Sequence, residues 1–542
     1  MPDDDASSSS SPSALAAAGL ALDDVRRAVE LLQAVGGDRS LLADVPLALR
    51  QALLIAAGRV SRPDSYQEKR LVRAMRRKRR REDEARDRQA RNTTGIRVAR
   101  EAPVFVPPPE VPALPDGATT AEAAAVPEPP ATPEPPELLK PKTCYVCKAE
   151  FRRLHFFYDA LCPECAPFNY AKRFQSARLD GRVALVTGAR VKIGYQSALK
   201  LLRAGASVIA TTRFPRDAAR RYAAEPDFEQ WRERLHVHGL DLRHSPSVEL
   251  FCRFVEHSAP RLDFLVNNAC QTVRRPPGFY EHLLEFETCA PSDVPPELRG
   301  LLAWHDELAR TLEGAPALHA PDAPRDETGL VAWGGGGSGL GLRASARLSQ
   351  VRYAFDDDAR RPDLFPDAAL DADLQQVDLR AVNTWRLGLA EVPTPEMIEV
   401  QLVNAVAPFI LCARLKPLML RAPGRDKHIV NVSAMEGIFS RGTKTDKHPH
   451  TNMAKAALNM LTLTSARDYV QDGIHMNAVD TGWVTDEDPH AHATRKREEL
   501  DFQPPLDVVD GAARVVDPIF SGVLTGEHVW GKFLKDYKPS SW

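Results

Sequence analysis

The sequence predicts an α/β protein built on a doubly wound parallel sheet. An apolar, β-branched run, Val183–Val186, leads into a tight glycine turn and then into a helical pattern. Similar apolar runs recur downstream and alternate with helical stretches; they lie at 207–212, 240–242 and 262–269. Short buried strands that alternate with helices are typical of a parallel sheet covered by helices on both faces.

Composition and charge narrow the class of protein. The 542 residues leave room for more than one domain, and a net charge of −2 argues against nucleic-acid binding by the whole molecule. The N-terminal residues are acidic and Ser-rich, so neither a secretory signal nor a transit peptide is expected. No apolar run approaches the roughly 20 residues of a membrane span, which predicts no membrane partner. Eight cysteines, four of them in one short stretch, suit a reduced compartment, and we expect a cytoplasmic location.

Three regions follow one another along the chain. Residues 1–140 are predicted to be a disordered, partly helical region that ends in a Pro-, Glu- and Ala-rich linker. Residues 141–175 form a Cys-rich module, and 176–542 form the α/β body. An insert at about 271–395, which contains a Gly-rich run, interrupts this body. The last third of the insert is either an ordered lid or wall over the substrate side or a surface excursion.

Helices are predicted in the N-terminal region at about 20–36, at 41–57 and, highly charged, over 66–91. The charged helix carries the basic run Arg76–Arg81, which acids follow at once, and no aromatic residue interleaves to stack on a base. A solvated helix is the preferred interpretation. A nuclear-localisation or RNA-binding patch within 69–81 is the alternative, and it would imply a nuclear location.

Two CxxC pairs, separated by 14 residues, have the spacing of a metal site. The four cysteines are Cys144, Cys147, Cys162 and Cys165. Each pair can place two thiolates on one cation, so the sequence predicts a tetrahedral Cys₄ zinc of the ribbon or knuckle kind. Such a zinc is structural because no position is left for water. A disulfide or a redox CxxC is the alternative, and the intervening aromatic residues Phe151 and Phe156–Tyr158 are expected to form a small core.

The glycine turn has the properties of a dinucleotide pyrophosphate site. A strand, a glycine turn and a helix N-terminus bring backbone N–H groups and partial positive charge to phosphate oxygens. Lys192 stands where a third glycine is usual, and Arg213 follows the second strand, where an acid would bind the ribose hydroxyls of NAD. An Arg there pairs with a 2′-phosphate, which favours NADP over NAD. The predicted contacts in this turn are Thr187, Gly188, Arg190, Lys192, Ile193 and Gly194.

The order and spacing of TG…IG, DL and LVNNA resemble the short-chain dehydrogenase/reductase family. The resemblance covers about 181–270 and resumes at about Met397. It implies one Rossmann-like domain that binds NAD(P). The further cofactor contacts that it implies are Asp241, Leu242, Asn268, Ala269, Gly482 and Val484, together with Lys455.

In that family a Tyr exchanges a proton with the substrate oxygen, and a Lys one helical turn on lowers the pKa of that Tyr. A Ser orients the substrate and an Asn supports a water relay. Lys455 and Asn404 resemble the Lys and the Asn, whereas Thr451 stands at the Tyr position and Ala434 at the Ser position. A Thr hydroxyl does not titrate near neutrality. Thr in place of Tyr is therefore expected to lower the reaction rate by about 10²–10⁴-fold, the usual contribution of a general acid.

Two functions therefore stay open. The first is an atypical NADP-dependent oxidoreductase that acts on an unidentified carbonyl or alcohol, with Lys455 and Asn404 completed by Thr451, Ser433 or His450. The second is a catalytically inactive NAD(P)-binding sensor or scaffold that uses the zinc module and the N-terminal helices for partners. Self-association of the chain is left open by the sequence.

Overall fold

A computed structural model of the chain describes residues 19–105, 137–313, 339–353 and 361–542. The Ser-rich start, most of the predicted Pro-rich linker and most of the Gly-rich run lie outside the described residues. The chain divides between Arg86 and Asp87 into two compact units.

The described part of the first unit is helical. Its elements are α1 Leu22–Gly37, a 3₁₀ turn Arg39–Leu42, α2 Leu47–Ser61 and α3 Ser65–Asn92, which continues into the second unit. The prediction that the second helix starts near 41 is wrong, because the Asp38 carboxylate accepts the Ser40 N–H at 2.8 Å and closes a 3₁₀ turn there. Among described residues 19–86, only Leu42 is a buried apolar residue.

The second unit is built on an eight-stranded sheet. Its neighbours run in the order β5-β4-β3-β6-β7-β8-β9-β10, and every pair is parallel except β9–β10. A two-stranded hairpin, β1–β2, lies outside this sheet. The strand bounds are β1 Lys142–Thr143, β2 Glu150–Phe151, β3 Val183–Thr187, β4 Ser207–Thr212, β5 Leu235–Gly239, β6 Phe264–Asn267, β7 Lys427–Ser433, β8 Ile474–Asp480, β9 Phe533–Lys535 and β10 Lys538–Ser540. The predicted doubly wound fold is confirmed, and its strand order reverses between β3 and β6.

Helices cover both faces of the sheet. Alternate residues of β3 point to opposite faces, so Ala184 and Val186 join one apolar cluster while Val183 and Leu185 join another. The helix bounds are α4 Gly95–Glu101, α5 Cys165–Phe174, α6 Lys192–Arg203, α7 Pro215–Ala223, α8 Phe228–Trp231, α9 Ser245–Ser258, α10 Glu281–Thr288, α11 Pro296–Glu313, α12 Leu340–Arg343, α13 Thr394–Gln401, α14 Ala407–Leu420, α15 Pro449–Tyr469, α16 His490–Leu500 and α17 Val508–Thr525.

The insert supplies helix α11 to the outer strand of the sheet. The Trp304 ring of this helix stacks on His236 of β5 with 3.9 Å between ring centroids. The next residue, His305, accepts the N–H of Gly239 on its Nδ1 at 3.3 Å. The insert is therefore ordered where it meets β5.

One continuous helical stretch, Thr394–Leu420, joins α13, a π-helical turn and α14. An 18-residue window within it has a mean hydropathy of 1.5, so the stretch is long and apolar enough to cross a membrane by length and composition alone. The expectation that the sequence holds no such stretch is therefore corrected. Its Leu411, Leu415 and Leu418 are fully buried in the core beside the sheet, as in the core helix of a globular fold.

The Cys-rich module shares a core with the α/β body. Phe151 and Tyr158 are buried as predicted, and they belong to one apolar cluster with Val484 and Leu506. The domain boundary predicted at residue 175 separates Phe151 and Tyr158 from Val484 and Leu506, although all four belong to this one cluster. Independent folding of the module stays a prediction.

A buried ion cluster joins helix α5 to the start of α17. The Arg173 guanidinium donates to both carboxylate oxygens of Asp507 at 2.7 and 2.9 Å, and it lies 2.8 Å from Asp510. The side chains of Arg173 and Asp510 are 0% exposed. Such a cluster is costly to break, because removal of one partner leaves buried charge uncompensated.

We predict that Arg173→Met lowers the free energy of unfolding by about 3–5 kcal/mol, because two buried carboxylates lose their cation. Arg178→Met is the matched control: its side chain is 42% exposed beside Asp180, and a change within about 0.5 kcal/mol is expected. Denaturant or thermal unfolding of the full chain measures both. Equal effects of the two substitutions would contradict the structural role of the cluster.

Candidate active site

A cavity of about 590 Å³ lies at the carboxyl ends of the central strands. The predicted site residues on its lining are Gly188, Arg190, Lys192, Ile193, Gly194, Arg213, Asp241, Leu242, Asn268, Ala269, Ser433 and Lys455. Those that do not line it are Thr187, Asn404, His450, Thr451, Gly482 and Val484. The structure thus brings the glycine turn and the family Lys to one cavity, and it places the Thr and His candidates outside the lining.

The glycine turn packs directly against the loop after β6. A Cβ atom on Gly194 would lie 2.2 Å from the Gly188 carbonyl oxygen and 2.3 Å from Asn268 Nδ2, so only glycine fits. The Asn268 amide donates to the carbonyls of Thr187 and Gly188 at 3.0 and 3.2 Å. The Thr187 hydroxyl accepts the backbone N–H groups of Asn268 and Ala269, both at 3.0 Å. Thr187 and Asn268 therefore fix the shape of the turn.

Lys192 keeps the backbone shape that the usual glycine would give. Its φ is +56°, in the left-handed region, where a side chain costs roughly 1–2 kcal/mol. Its Nζ lies 3.9 Å from a carboxylate oxygen of Asp373, in the insert. The turn thus survives the loss of its third glycine, and the ammonium group faces an acid.

The two arginines predicted to bind phosphate have different surroundings. Arg190 is buried, donates to Asp217 at 2.8 Å and to the Gln375 side chain at 3.3 Å, and its burial lowers the pKa of its guanidinium. Arg213 instead donates to the neutral Tyr280 hydroxyl at 2.6 Å and lies over that ring. Among the described residues, no carboxylate lies within 4 Å of the Arg213 guanidinium.

The insert forms part of the wall at both ends of the cavity. Beside the glycine turn, Arg221 of α7 donates to the backbone carbonyls of Asp373 and Leu374, both at 3.0 Å. At the acidic loop 486–488, the Asn383 amide donates to the Glu487 carbonyl at 2.8 Å. The last third of the insert is therefore ordered where it lines the cavity, and its role as a lid or wall over a substrate stays a prediction.

The family Lys and Asn positions have defined partners. Lys455 is buried and donates to the Val432 carbonyl at 2.8 Å. Asn404 exchanges two hydrogen bonds with the backbone of Gln271, at 2.8 and 3.0 Å, and so holds the loop after β6. The Ser433 hydroxyl donates to the side chain of Asn459 at 2.6 Å.

Thr451 and His450 are buried at the start of α15. Neither the Thr451 hydroxyl nor either ring nitrogen of His450 has a hydrogen-bond partner among the described residues. Burial lowers the pKa of His450 to about 4, so its ring is neutral at pH 7. His448 adopts a left-handed conformation, and its ring stacks on Trp385 at 3.9 Å. Neither His450, the sequence-predicted candidate, nor the neighbouring His448, which could also titrate by residue type, lines the cavity.

An acidic loop on the cavity lining was missed by sequence reasoning. Glu487 accepts the hydroxyls of Thr485 and Thr272 at 2.9 and 3.2 Å. Burial acts to raise the pKa of Glu487, but the cations Lys192 and Arg275 and the two hydroxyls outweigh it, so the net shift is downward. The available signal was the run of three acids, 486–488, soon after the last family strand.

The four module cysteines converge as predicted. Their Sγ atoms all lie within 4.8 Å of one another, and the Sγ atoms of Cys147 and Cys162 are 3.6 Å apart. The N–H of Cys162 donates to the Cys144 sulfur at 3.4 Å, a contact that stabilises a thiolate. All eight cysteines are free, so the set suits one tetrahedral metal ion.

Comparison with known proteins identifies the family. Residues 182–285 match the family model described as short chain dehydrogenase, and 381–504 match the one described as enoyl-(acyl carrier protein) reductase. The chain is 30% identical over 390 residues to uncharacterized protein R665 of Acanthamoeba polyphaga mimivirus, which covers 70% of this chain and 71% of that protein. The chain therefore belongs to the short-chain dehydrogenase/reductase family.

Other relatives match shorter stretches. Dehydrogenase/reductase SDR family member 13 of Bos taurus is 36% identical over 135 residues, 22% of this chain and 36% of that protein. The chain thus spans about a third of the length of this relative. A short-chain dehydrogenase of Burkholderia cenocepacia, solved in complex with NADP, is 18% identical, with coverage of 66% and 96% and a TM-score of 0.39.

We predict that His450 makes the fold sensitive to mild acid. Its pKa is lowered from 6.5 in the free side chain to about 4, so between these values the unfolded chain binds a proton that the folded chain does not. This contribution to stability is present above pH 6.5 and is lost as the pH falls toward 4. Unfolding of His450→Gln between pH 4.5 and 7.5 should show a smaller fall than the unsubstituted chain.

The exposed His492 provides a control for loss of an imidazole, and His492→Gln should leave the free energy of unfolding at pH 7.5 within about 0.5 kcal/mol of that of the unsubstituted chain. A His450→Gln curve that runs parallel to that of the unsubstituted chain would rule out the buried neutral ring.

Proposed function

We propose that the chain is an NADP-dependent oxidoreductase that acts on a carbonyl or alcohol and has a non-standard site for proton transfer. The observation that carries the proposal is that Lys455 and the glycine turn line one cavity of about 590 Å³. The cradle fits a nicotinamide dinucleotide, because Gly188 and Gly194 leave no room for a side chain and let backbone N–H groups approach the phosphates. When bound, the cofactor supplies hydride transfer.

The preference for NADP rests on Arg213. It lines the cavity directly after β4, and the described hydrogen bond of its guanidinium goes to the Tyr280 hydroxyl. Its charge lowers the pKa of Asp241, but no described carboxylate lies within 4 Å of the guanidinium. Its positive charge is therefore available for a 2′-phosphate, which a guanidinium binds with two parallel hydrogen bonds. Arg190 is committed to Asp217 and Lys192 faces Asp373, so both are weaker candidates for this role.

Lys455 positions the reacting half of the site in this proposal. Its ammonium group donates to the Val432 carbonyl and lies on the lining. There it would orient the ribose next to the nicotinamide ring of the bound cofactor. Thr451 cannot titrate near neutrality, so the proton must pass through another cavity group. Several side chains on the lining are of a type that can carry a proton, among them Asp486, Glu487, Asp488 and His490.

The second candidate function is a nucleotide-binding sensor or scaffold. It is favoured by one observation: the residue at the Tyr position, Thr451, is buried off the lining, while Ala434 on the lining has no hydroxyl. In this function the exposed apolar side chains of α1, among them Val25 and Val29, would serve partners. A cytoplasmic location fits either function.

We also propose that the four cysteines hold a structural zinc. All four converging ligands are thiolates from the protein, which leaves no coordination position for water. Zinc would then stabilise the module and would take no part in the chemistry.

Arg213→Gln tests the cofactor preference. We expect the unsubstituted chain to bind NADPH at least tenfold more tightly than NADH, since loss of one charged pair is worth about 1.4 kcal/mol or more. The substitution should abolish this preference by weakening the affinity for NADPH, while the affinity for NADH stays unchanged. Calorimetric titration measures both cofactors, with the exposed Arg178→Gln as control. A preference that survives Arg213→Gln would contradict the assignment.

Lys455→Met tests catalysis. A panel of aldehydes, ketones and alcohols is assayed with NADPH or NADP. We expect turnover to fall by about 10²-fold or more, because the variant lacks the ammonium group that orients the cofactor and assists proton transfer to the substrate. Thermal unfolding reports whether the variant, whose Lys is buried, still folds. A chain that binds NADPH but shows no turnover that depends on Lys455 would support the sensor function instead.

A further inference from the structure

We infer that the Cys₄ module is a positioning element of the cofactor site, and that Tyr145 transmits its position to the loop Thr481–Val484. Tyr145 lies between two of the four cysteines, and Thr481 of the loop lines the same cavity as Lys455. This inference rests on the proposed function, because it concerns how tightly the same cavity holds NADP.

Tyr145 makes a direct contact with the loop. Its hydroxyl accepts the backbone N–H of Trp483 at 2.9 Å. Its own N–H donates to the Ala160 carbonyl at 2.9 Å, so the ring is tied at its base to the segment that carries the second CxxC. The Tyr side chain is therefore a rigid link between the cysteine cluster and the loop.

The loop packs tightly at this contact, with no room for a side chain at Gly482. Gly482 has a φ of +76°, and a Cβ atom there would lie 2.5 Å from Leu506 Cδ1 and 3.3 Å from the Tyr145 hydroxyl. The preceding residue, Thr481, lines the cavity. A displacement of Tyr145 therefore reaches the lining within two residues.

A second set of contacts joins the module to the glycine turn. Val484 is buried in the same apolar cluster as Cys144 and Leu161, and Ile193 of the turn packs against this cluster. Ile193 also lines the cavity. The module therefore packs against two separate parts of the cavity wall, the loop 481–484 and the glycine turn.

The metal matters because the part of the module before helix α5, which carries Tyr145 and three of the four cysteines, has little regular structure to hold its shape. Its strands β1 and β2 have two residues each. Modules of this size usually depend on a metal ion for folding. Loss of the ion would free the Cys144–Cys147 turn, and with it the Tyr145 ring.

Tyr145→Phe in the full chain, loaded with zinc, is the decisive variant, because it keeps the ring and removes only the acceptor. Calorimetric titration with NADPH should give a Kd about three- to tenfold higher than that of the unsubstituted chain, in the range of one lost hydrogen bond. Zinc content should stay at one per chain. Tyr170→Phe is the matched control in the same module. The Tyr170 ring packs edge-on against Phe156 and Phe174, and both contacts survive the substitution, so the Kd for NADPH should not change.

Removal of zinc with a chelator, followed by its return, tests the role of the metal. NADPH affinity should fall on removal and recover when Zn²⁺ is added back. An unchanged Kd in both Tyr145→Phe and the zinc-free chain would overturn the inference while the proposed function stands. Failure of the unsubstituted, zinc-loaded chain to bind NADPH would overturn the proposed function itself. A fall in the zinc content of Tyr145→Phe would overturn the role given to the hydroxyl.

Discussion

The site depends on the close approach of two backbone segments, the turn after β3 and the loop after β6. Gly194 lies against the Gly188 carbonyl, and the Thr187 hydroxyl accepts two N–H groups from the facing loop. Because the strand order reverses between these strands, the contact closes the base of the crevice in which a dinucleotide can lie. The left-handed backbone of Lys192 preserves this contact without a glycine.

The three cations around this contact have different partners. Arg190 pairs with Asp217, and Lys192 lies near Asp373, whereas Arg213 donates to the Tyr280 hydroxyl and has no described carboxylate within 4 Å. The acidic partner Asp373 and the aromatic Tyr280 both belong to the insert. Tyr280 lies within residues 182–285, which match the family model, whereas Asp373 lies between the two matched stretches. Residues inside and outside the matched stretches thus determine which cation stays available to a ligand.

Local signals allowed the sheet, the glycine turn and the cysteine cluster to be predicted, because strand periodicity and CxxC spacing depend on neighbours in the sequence. The partner of Arg190 was not predictable, since Gln375 is 185 residues away and no pattern links them. Thr451 and His450 precede Lys455 within one helix, yet their burial depends on tertiary packing that the sequence does not reveal. Their catalytic roles stay predictions.

Helix α11 also bears on the exposure of the sheet edge at β5. An open sheet presents unpaired N–H and C=O groups along its outer strands, and these are templates for strand addition by another chain. At one end, α11 covers β5 with Trp304 and His305. At the other end, β10 carries Lys538 and Pro539, and a proline cannot donate to a further strand. The insert therefore protects one edge of the sheet against aggregation, and a shortened chain without α11 would expose that edge.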